Sequence, residues 1–352
     1  MTDANSDPAS SGFQPPSLSA IRKQLSTLEV AERFFESSVL FALHELGVFR
    51  ALADGPRDHA ALYEAVGGDA ETLRGILDAA VALKVLAKEG EAYAADEALL
   101  DSLGRPGSPS YLGEWVSFLH VLARPILDLH VAEQTGKPPG NLVEDGKSDN
   151  ILVRRMTDAM DAYARTRGVE MVEHLDFSGD TTFLDLGCGP GTYSLAVVER
   201  FPNVQATLLD LDIPIQDARR IVAARGMTDR VSFVVSDAFS YQPERGYDVV
   251  LISNTLHMLG PELSAKLLAR CYDLVNPGGR LIVQAQFLHD ERTSPRWPTL
   301  VNLVQRVATI HGRNHALGET ESWLRDAGFA EVEHVRFSAW NVNSAMIGHR
   351  AP

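Results

Sequence analysis

The sequence predicts a chain in two parts: a mainly helical N-terminal half and an α/β domain on a parallel sheet covered on both faces. Three observations carry this. From Thr182 onward, short aliphatic runs (Thr182–Leu186, Gln205–Asp210, Val231–Val235, Asp248–Ile252 and Leu281–Gln284) alternate with helical stretches. These runs are continuously apolar, as strands buried on both faces are. Before Gly179, apolar residues recur at helical spacing instead.

The elements follow in chain order. Met1–Pro16 is built of Ser, Asp, Ala and Pro and reads as a disordered tail, assigned 1–17. Leu18 to Leu52 is helical, with Val39, Leu40, Leu43, Leu46 and Val48 spaced as one apolar stripe, and Gly55-Pro56 breaks it. Helical patterns return at His59–Val66 and Ala70–Leu83. Val85–Tyr93 then reads as two short strands about Gly90. Three helices and a hairpin make a winged-helix pattern, assigned 18–105, closed by the break Gly104–Pro109. A helical stretch from Tyr111 to Leu175, interrupted by the polar loop Gly136–Asp149, belongs to a linking segment 106–178. The α/β domain takes 179–352.

The 352 residues suit about two domains. A composition of 45% hydrophobic and 22% charged residues is that of an ordinary globular protein. Lys and Arg number 32 against 47 Asp and Glu, a net charge of −15 that opposes binding to phosphate backbones and anionic lipid. No apolar run approaches the ~18 residues of a membrane span, and no basic-then-apolar leader is present. Cys188 and Cys271 alone make neither a disulfide framework nor a metal cluster. The expectation is a cytoplasmic protein.

The strongest signal is Phe183-Leu184-Asp185-Leu186-Gly187-Cys188-Gly189-Pro190-Gly191-Thr192, a strand running through a glycine turn into a helix. Glycines there let the backbone approach a ligand at the carboxyl end of a strand. Gly187, Gly189 and Gly191 spell G-x-G-x-G, not the G-x-G-x-x-G of a pyrophosphate cradle. Asp185 would repel a pyrophosphate and attract an ammonium group. Asp210 ends the second strand, where an acid accepts from ribose hydroxyls. Asp237 ends the third, where it can meet an adenine amine. Any one of these acids alone reads equally well as a helix cap. Together, in this order, they describe S-adenosylmethionine.

On these residues the chain resembles the class I S-adenosylmethionine-dependent methyltransferases. It is most similar to the small-molecule O-methyltransferases of the caffeic acid and bacterial polyketide tailoring type. The resemblance extends from about Leu28. It rests on Leu46–Phe49 with Ala51–Pro56, on Asp185–Gly191, Asp210-Leu211 and Asp237-Ala238-Phe239, and on Asn276–Gly279. It implies a mostly parallel seven-stranded Rossmann-like sheet behind a winged-helix dimerisation domain, hence a homodimer. The implied cofactor set is Asp185, Gly187, Gly189, Gly191, Asp210, Leu211, Asp237, Ala238, Phe239 and Ser253. No metal is expected, and the product would be S-adenosylhomocysteine.

In the resembling family a histidine in the position of His257, within Asn254–Leu259, takes the proton from the substrate hydroxyl. An imidazole suits this, because a hydroxyl attacks a sulfonium methyl poorly until it loses its proton. Two departures stand out. Met258-Leu259 replaces the Asp-Trp of the plant enzymes. Their two histidine-orienting glutamates fall on Ala285 and Asn314. N- or C-methylation, or non-methyl chemistry on the bound sulfonium, therefore stays open. Gln286, Asn302, His311, Asn314 and His315 are the polar groups available to orient the base or bind substrate. His311 and His315, four apart, would share a helix face as metal ligands, but no carboxylate completes a site. The resemblance places Met160 and Tyr163 in the substrate pocket, and Trp115, Phe118 and Trp297 are further candidates. Each of these reads singly as core as readily as pocket.

A DNA-binding regulator is disfavoured. From Arg57 to Gly90 four basic residues face six acidic ones, and a recognition helix opening Asp69-Ala70-Glu71 would meet phosphates with the wrong sign. The glycine spacing and Asp185 disfavour a nicotinamide dehydrogenase.

Overall fold

The computed structural model describes residues 17–139, 150–309, 311–339 and 341–352. The tail Met1–Pro16 and residues 140–149 of the polar loop lie outside them. The chain divides between Asp96 and Glu97 into two compact units.

In the first unit the single helical stretch expected over Leu18–Leu52 is three helices: α1 (Leu18–Glu32), α2 (Phe34–Glu45) and α3 (Val48–Ala51). Gly47, at φ +77°, ends the second and starts the third. Leu43 and Val48 are buried, whereas Leu46 is 39% exposed, because the turn at Gly47 rotates it off the stripe. Helix α1 has no buried residue. Helices α4 (His59–Val66) and α5 (Ala70–Ala82) are capped by Asp58 and Asp69, each accepting from a backbone N–H at 2.8 Å. The hairpin β2 (Ala87–Glu89) and β3 (Ala92–Ala94) follows as expected. A two-residue strand, β1 (Arg57–Asp58), adds to β3 and is too short to have shown any period in sequence.

The second unit opens with α6 (Glu97–Leu99) and a π-helical turn to Gly104. Helices α7 (Gly113–Leu127), α8 (Leu129–Thr135) and α9 (Asn150–His174) lead into the sheet. Then β4 (Thr182–Leu186), α10 (Thr192–Arg200), β5 (Gln205–Asp210), α11 (Asp212–Ala224) and β6 (Val231–Val235) build the sheet from its centre to one edge. β7 (Tyr247–Ser253), α12 (Pro261–Leu274) and β8 (Val275–Ala285) extend it toward the other, parallel to the first three strands. Helices α13 (Arg296–Ala308) and α14 (Leu317–Asp326) precede β9 (Glu331–Arg336) and β10 (Ser344–His349). The strand order is β6-β5-β4-β7-β8-β10-β9, with only β10 running antiparallel to its neighbours. This is the seven-stranded, mostly parallel sheet that the resemblance implied. β8 begins earlier than Leu281, because Asn276–Gly279 is taken into the ladder as an irregularity opposite Tyr247–Val249.

Alternation across the strands builds two cores. Phe183, Leu208, Val249 and Ile282 pack beneath α9, α10 and α11. Leu184, Leu186, Val250 and Val283 pack beneath α12 and α14. The order of strand addition reverses between β4 and β7, which lie side by side and parallel. The crevice above their carboxyl ends is where such sheets take ligands.

Candidate functional site

Two loops meet at that reversal. The first follows β4, where Gly187, Gly189 and Gly191 all have positive φ (+76°, +51° and +76°). At Gly191 a Cβ would also lie 2.4 Å from Leu208 Cδ2, so no other residue fits there without a shift. Asp185, two residues before Gly187, is 1% exposed. Its Oδ2 accepts from the Ser194 hydroxyl at 2.5 Å, and its Oδ1 is buried with no partner. Burial, reinforced by the nearby Asp210, pushes its pKa up to about 7. Asp210, at the end of β5, accepts from Gly189 N–H at 2.8 Å and from Leu211 N–H at 2.7 Å. Asp237 accepts from Phe239 N–H at 2.8 Å and is otherwise exposed. Beside these acids Leu211 and Val235 are 57% and 54% exposed, apolar surface of the kind an aromatic base covers.

The second loop follows β7. Ser253 accepts from Asn254 Nδ2 at 3.3 Å and from Gln284 Nε2 at 3.2 Å. Asn254 takes a left-handed conformation at φ +52°. A single 3₁₀ turn, Leu256–Met258, carries His257. Burial, with a smaller contribution from His315, pushes the His257 pKa down to about 4, so the imidazole is neutral at physiological pH. Neither of its ring nitrogens has a hydrogen-bond partner among the described residues. The two loops are joined, since Thr255 Oγ1 donates to Gly187 O at 3.2 Å.

Against this edge stands an aromatic group. The Trp115 ring lies 4.6 Å from Tyr163 and 5.7 Å from Phe118. Tyr163 is 8% exposed and Met160, on the same helix, is half-buried. Gln286, just past the end of β8, donates to Tyr163 Oη at 3.1 Å and so ties α9 to the sheet edge.

Other candidates sit elsewhere. Asn302 Oδ1 accepts from Asn314 N–H at 2.8 Å, and Asn314 Nδ2 donates to Pro298 O at 2.8 Å, so this pair braces a loop against α13. His311 is exposed while His315 is buried, and the segment between them is not helical. They share no face, and among the described residues no cluster of metal-ligating side chains exists. Trp297 is 43% exposed on α13.

Sequence reasoning missed Arg167. Its guanidinium lies 3.5 Å above the Tyr163 ring, Nη1 donates to Tyr163 O at 2.8 Å, and Nε is buried without a partner. The available signal was its spacing of four from Tyr163 on one helix. Asp161 was missed as well. It accepts from Thr192 Oγ1 at 2.6 Å and from Arg165, fastening α9 to the first residue of α10.

Residues 129–330, more than half of the chain, match the O-methyltransferase domain, and residues 28–98 match the O-methyltransferase dimerisation domain. The chain belongs to the O-methyltransferase family. This methyltransferase is 27% identical to the 3-hydroxy-5-methyl-1-naphthoate 3-O-methyltransferase of Streptomyces sahachiroi, over 92% of the chain and 94% of that protein. It is 28% identical to the tetracenomycin polyketide synthesis 8-O-methyl transferase TcmO of Streptomyces glaucescens, over 87% and 91%. In fold it is similar to human N-acetylserotonin methyltransferase in complex with S-adenosylmethionine, with a TM-score of 0.83 and 23% identity over 97% of this chain and all of that one. The methyl donor is S-adenosyl-L-methionine, and the residues present suit it. A buried acceptor oxygen without a donor, a buried guanidinium nitrogen without an acceptor and a left-handed glycine loop match an ammonium, a carboxylate and a closely approaching chain.

Proposed function

We propose that the enzyme methylates a hydroxyl group of a small aromatic or polyketide-like metabolite, with His257 as general base. The observation that carries this is a neutral imidazole on the turn bonded to the glycine loop, at the sheet edge where Trp115, Phe118 and Tyr163 gather. When bound, the donor presents a methyl group on a sulfonium. Asp185 holds its ammonium, Arg167 its carboxylate and Asp210 its ribose, while Asp237 with Leu211, Ala238 and Phe239 holds adenine. Gly187, Gly189, Gly191 and Ser253 shape the cradle.

His257 takes the hydroxyl proton as the oxygen attacks in line. An imidazolium of pKa about 4 lies about six decades below a phenol of pKa ~10, so free proton transfer before attack is unfavourable. The proton therefore leaves as the oxygen–carbon bond forms, and hydroxyls acidified by an aromatic ring or a conjugated carbonyl react best. The two Streptomyces relatives, named for O-methylation of a hydroxynaphthoate and in polyketide synthesis, support that class. Met160 and Gln286 complete the pocket with the aromatic group, and α7 and α9 supply most of it.

The matched dimerisation segment and the uncovered apolar residues Leu25, Leu28, Phe34 and Phe35 support a homodimer formed through the first unit. No helix among the described residues is long and apolar enough to cross a membrane. Both cysteines are buried and unpaired, which suits the reducing cytoplasm. The test is incubation with S-adenosylmethionine and a panel of hydroxyaromatic acceptors, followed by mass spectrometry. Methylation of a hydroxyl that disappears in His257→Ala supports the reading. Methylation at nitrogen or carbon alone, or turnover unchanged in that variant, overturns it.

A further inference from the structure

Among the described residues the His257 ring has no hydrogen-bonded neighbour to aim it. Alanine and asparagine stand where carboxylates would orient it, and Asn314 spends its amide on Pro298 O. What the structure holds instead is the main chain beneath the ring. The 3₁₀ turn has few bonds of its own: Met258 N–H to Thr255 O at 3.0 Å and Leu259 N–H to Leu256 O at 2.9 Å. Its buried Leu256 carbonyl receives two further contacts, the shorter from His315 Nε2 at 3.1 Å and a longer one from the Ser264 hydroxyl at 3.5 Å. The same nitrogen lies 3.0 Å from Ser264 Oγ on α12.

We infer that His315 is a positioning residue for His257, holding the Leu256 carbonyl and through it the turn on which the base sits. The inference rests on His257 being the base. A carbonyl only accepts, so Nε2 of His315 carries the proton and Nδ1 does not. Nδ1 faces Glu319 at 3.7 Å without a hydrogen bond, and the Glu319 charge is met by Arg313 and Arg292. The edge of the Trp323 ring system, 5.0 Å away, closes the remaining side. The imidazole is 4% exposed and faced from three elements, the 3₁₀ turn, α12 and α14, so it is a fixed strut. Gly312 admits the strut's own loop, since a Cβ there would come within 2.5 Å of His257 O.

The two ring nitrogens can be tested separately. In His315→Gln the amide nitrogen falls where Nε2 stood and still reaches Leu256 O. In His315→Asn it falls where Nδ1 stood and cannot. The probe is the full-length protein with ring-¹⁵N histidine, and the readout is the His257 nitrogen–proton correlations at pH 7.5, assigned with His257→Ala. The expected result is a His257 signal unmoved in the Gln variant, and shifted and broadened in the Asn variant. With an accepted hydroxyaromatic substrate, kcat should fall about tenfold to a hundredfold in the Asn variant alone, with KM unchanged.

Calorimetric titration with S-adenosylhomocysteine tests whether each variant retains its cofactor site. If the Asn variant fails to bind, His315→Leu, which removes both ring nitrogens and leaves the Ser264 contact to the carbonyl in place, replaces it and should move the His257 signal likewise. A His257 signal that stays put in these variants, or moves equally with Gln and Asn, overturns the inference. Loss of turnover in His257→Ala with such an unmoved signal leaves the base assignment standing without the strut.

Discussion

The hydroxyl of Thr255 donates to the carbonyl of Gly187 at 3.2 Å, and the two residues stand on loops that leave neighbouring parallel strands. This bond makes the glycine loop and the turn carrying His257 one piece at the point where the sheet reverses its strand order. Contact there is tight. A Cβ on Gly187 would lie 2.8 Å from the Thr255 hydroxyl oxygen and 2.9 Å from its methyl carbon.

Replacing Gly187 by Ala therefore adds a clash to a left-handed conformation that itself costs about 1–2 kcal/mol. The expected outcome is at least a tenfold loss of S-adenosylhomocysteine affinity by calorimetry. Thr255→Val removes the bond without the clash, and should leave that affinity within about threefold while lowering kcat.

Asp185 is a buried acid with one oxygen unpartnered, and Arg167 a cation with one buried nitrogen unpartnered. Asp185→Asn and Arg167→Met should each weaken S-adenosylhomocysteine binding by tenfold or more. Neither should affect 5′-methylthioadenosine, which lacks the amino-acid end of the donor. Equal loss for both ligands would remove these two assignments.

The raised pKa of Asp185 has a sign that can be checked without ligand. Its folded value, about 7, lies above the ordinary 3.8, so its contribution to stability is complete below pH 3.8 and is lost as pH rises through 7. Asp185→Asn should unfold at a higher temperature than the wild type at pH 8, with the difference shrinking toward pH 4. Melting curves of the unliganded protein decide this.

His257 behaves oppositely. Its folded pKa, about 4, lies below the unfolded 6.5, and burial lowers His315 as well. The stability these rings contribute is present above pH 6.5 and is lost as pH falls toward 4. The melting temperature of His257→Gln should fall less steeply between pH 6.5 and 5 than that of the wild type.

Much of the second unit was legible because its strands are buried on both faces. β4, β5 and β6 occupy the expected apolar runs. β9 and β10 were not read from residues: β9 alternates Glu331, Glu333 and Arg336 with partly buried neighbours, and β10 breaks its apolar run at Gly348. In the first unit the apolar period of Leu18–Leu52 carried no mark of the turn that Gly47 makes. Asp185, Asp210, Asp237 and His257 could be picked out as candidates because each lies at or just past the carboxyl end of a strand in a short motif. The contacts of Arg167, Thr255 and His315 were not legible, since what each does depends on a partner's placement.

What the sequence determined by itself is local: glycines that permit positive φ after β4, acids at three strand ends, and runs apolar enough to bury both faces. What only the tertiary structure decided is which of these distant pieces touch. Gly187 and Thr255 are 68 residues apart, and Leu256 and His315 are 59 apart. Their bonds follow from the order in which the strands assemble, through burial summed over the whole sheet, and no local preference of the chain encodes that order.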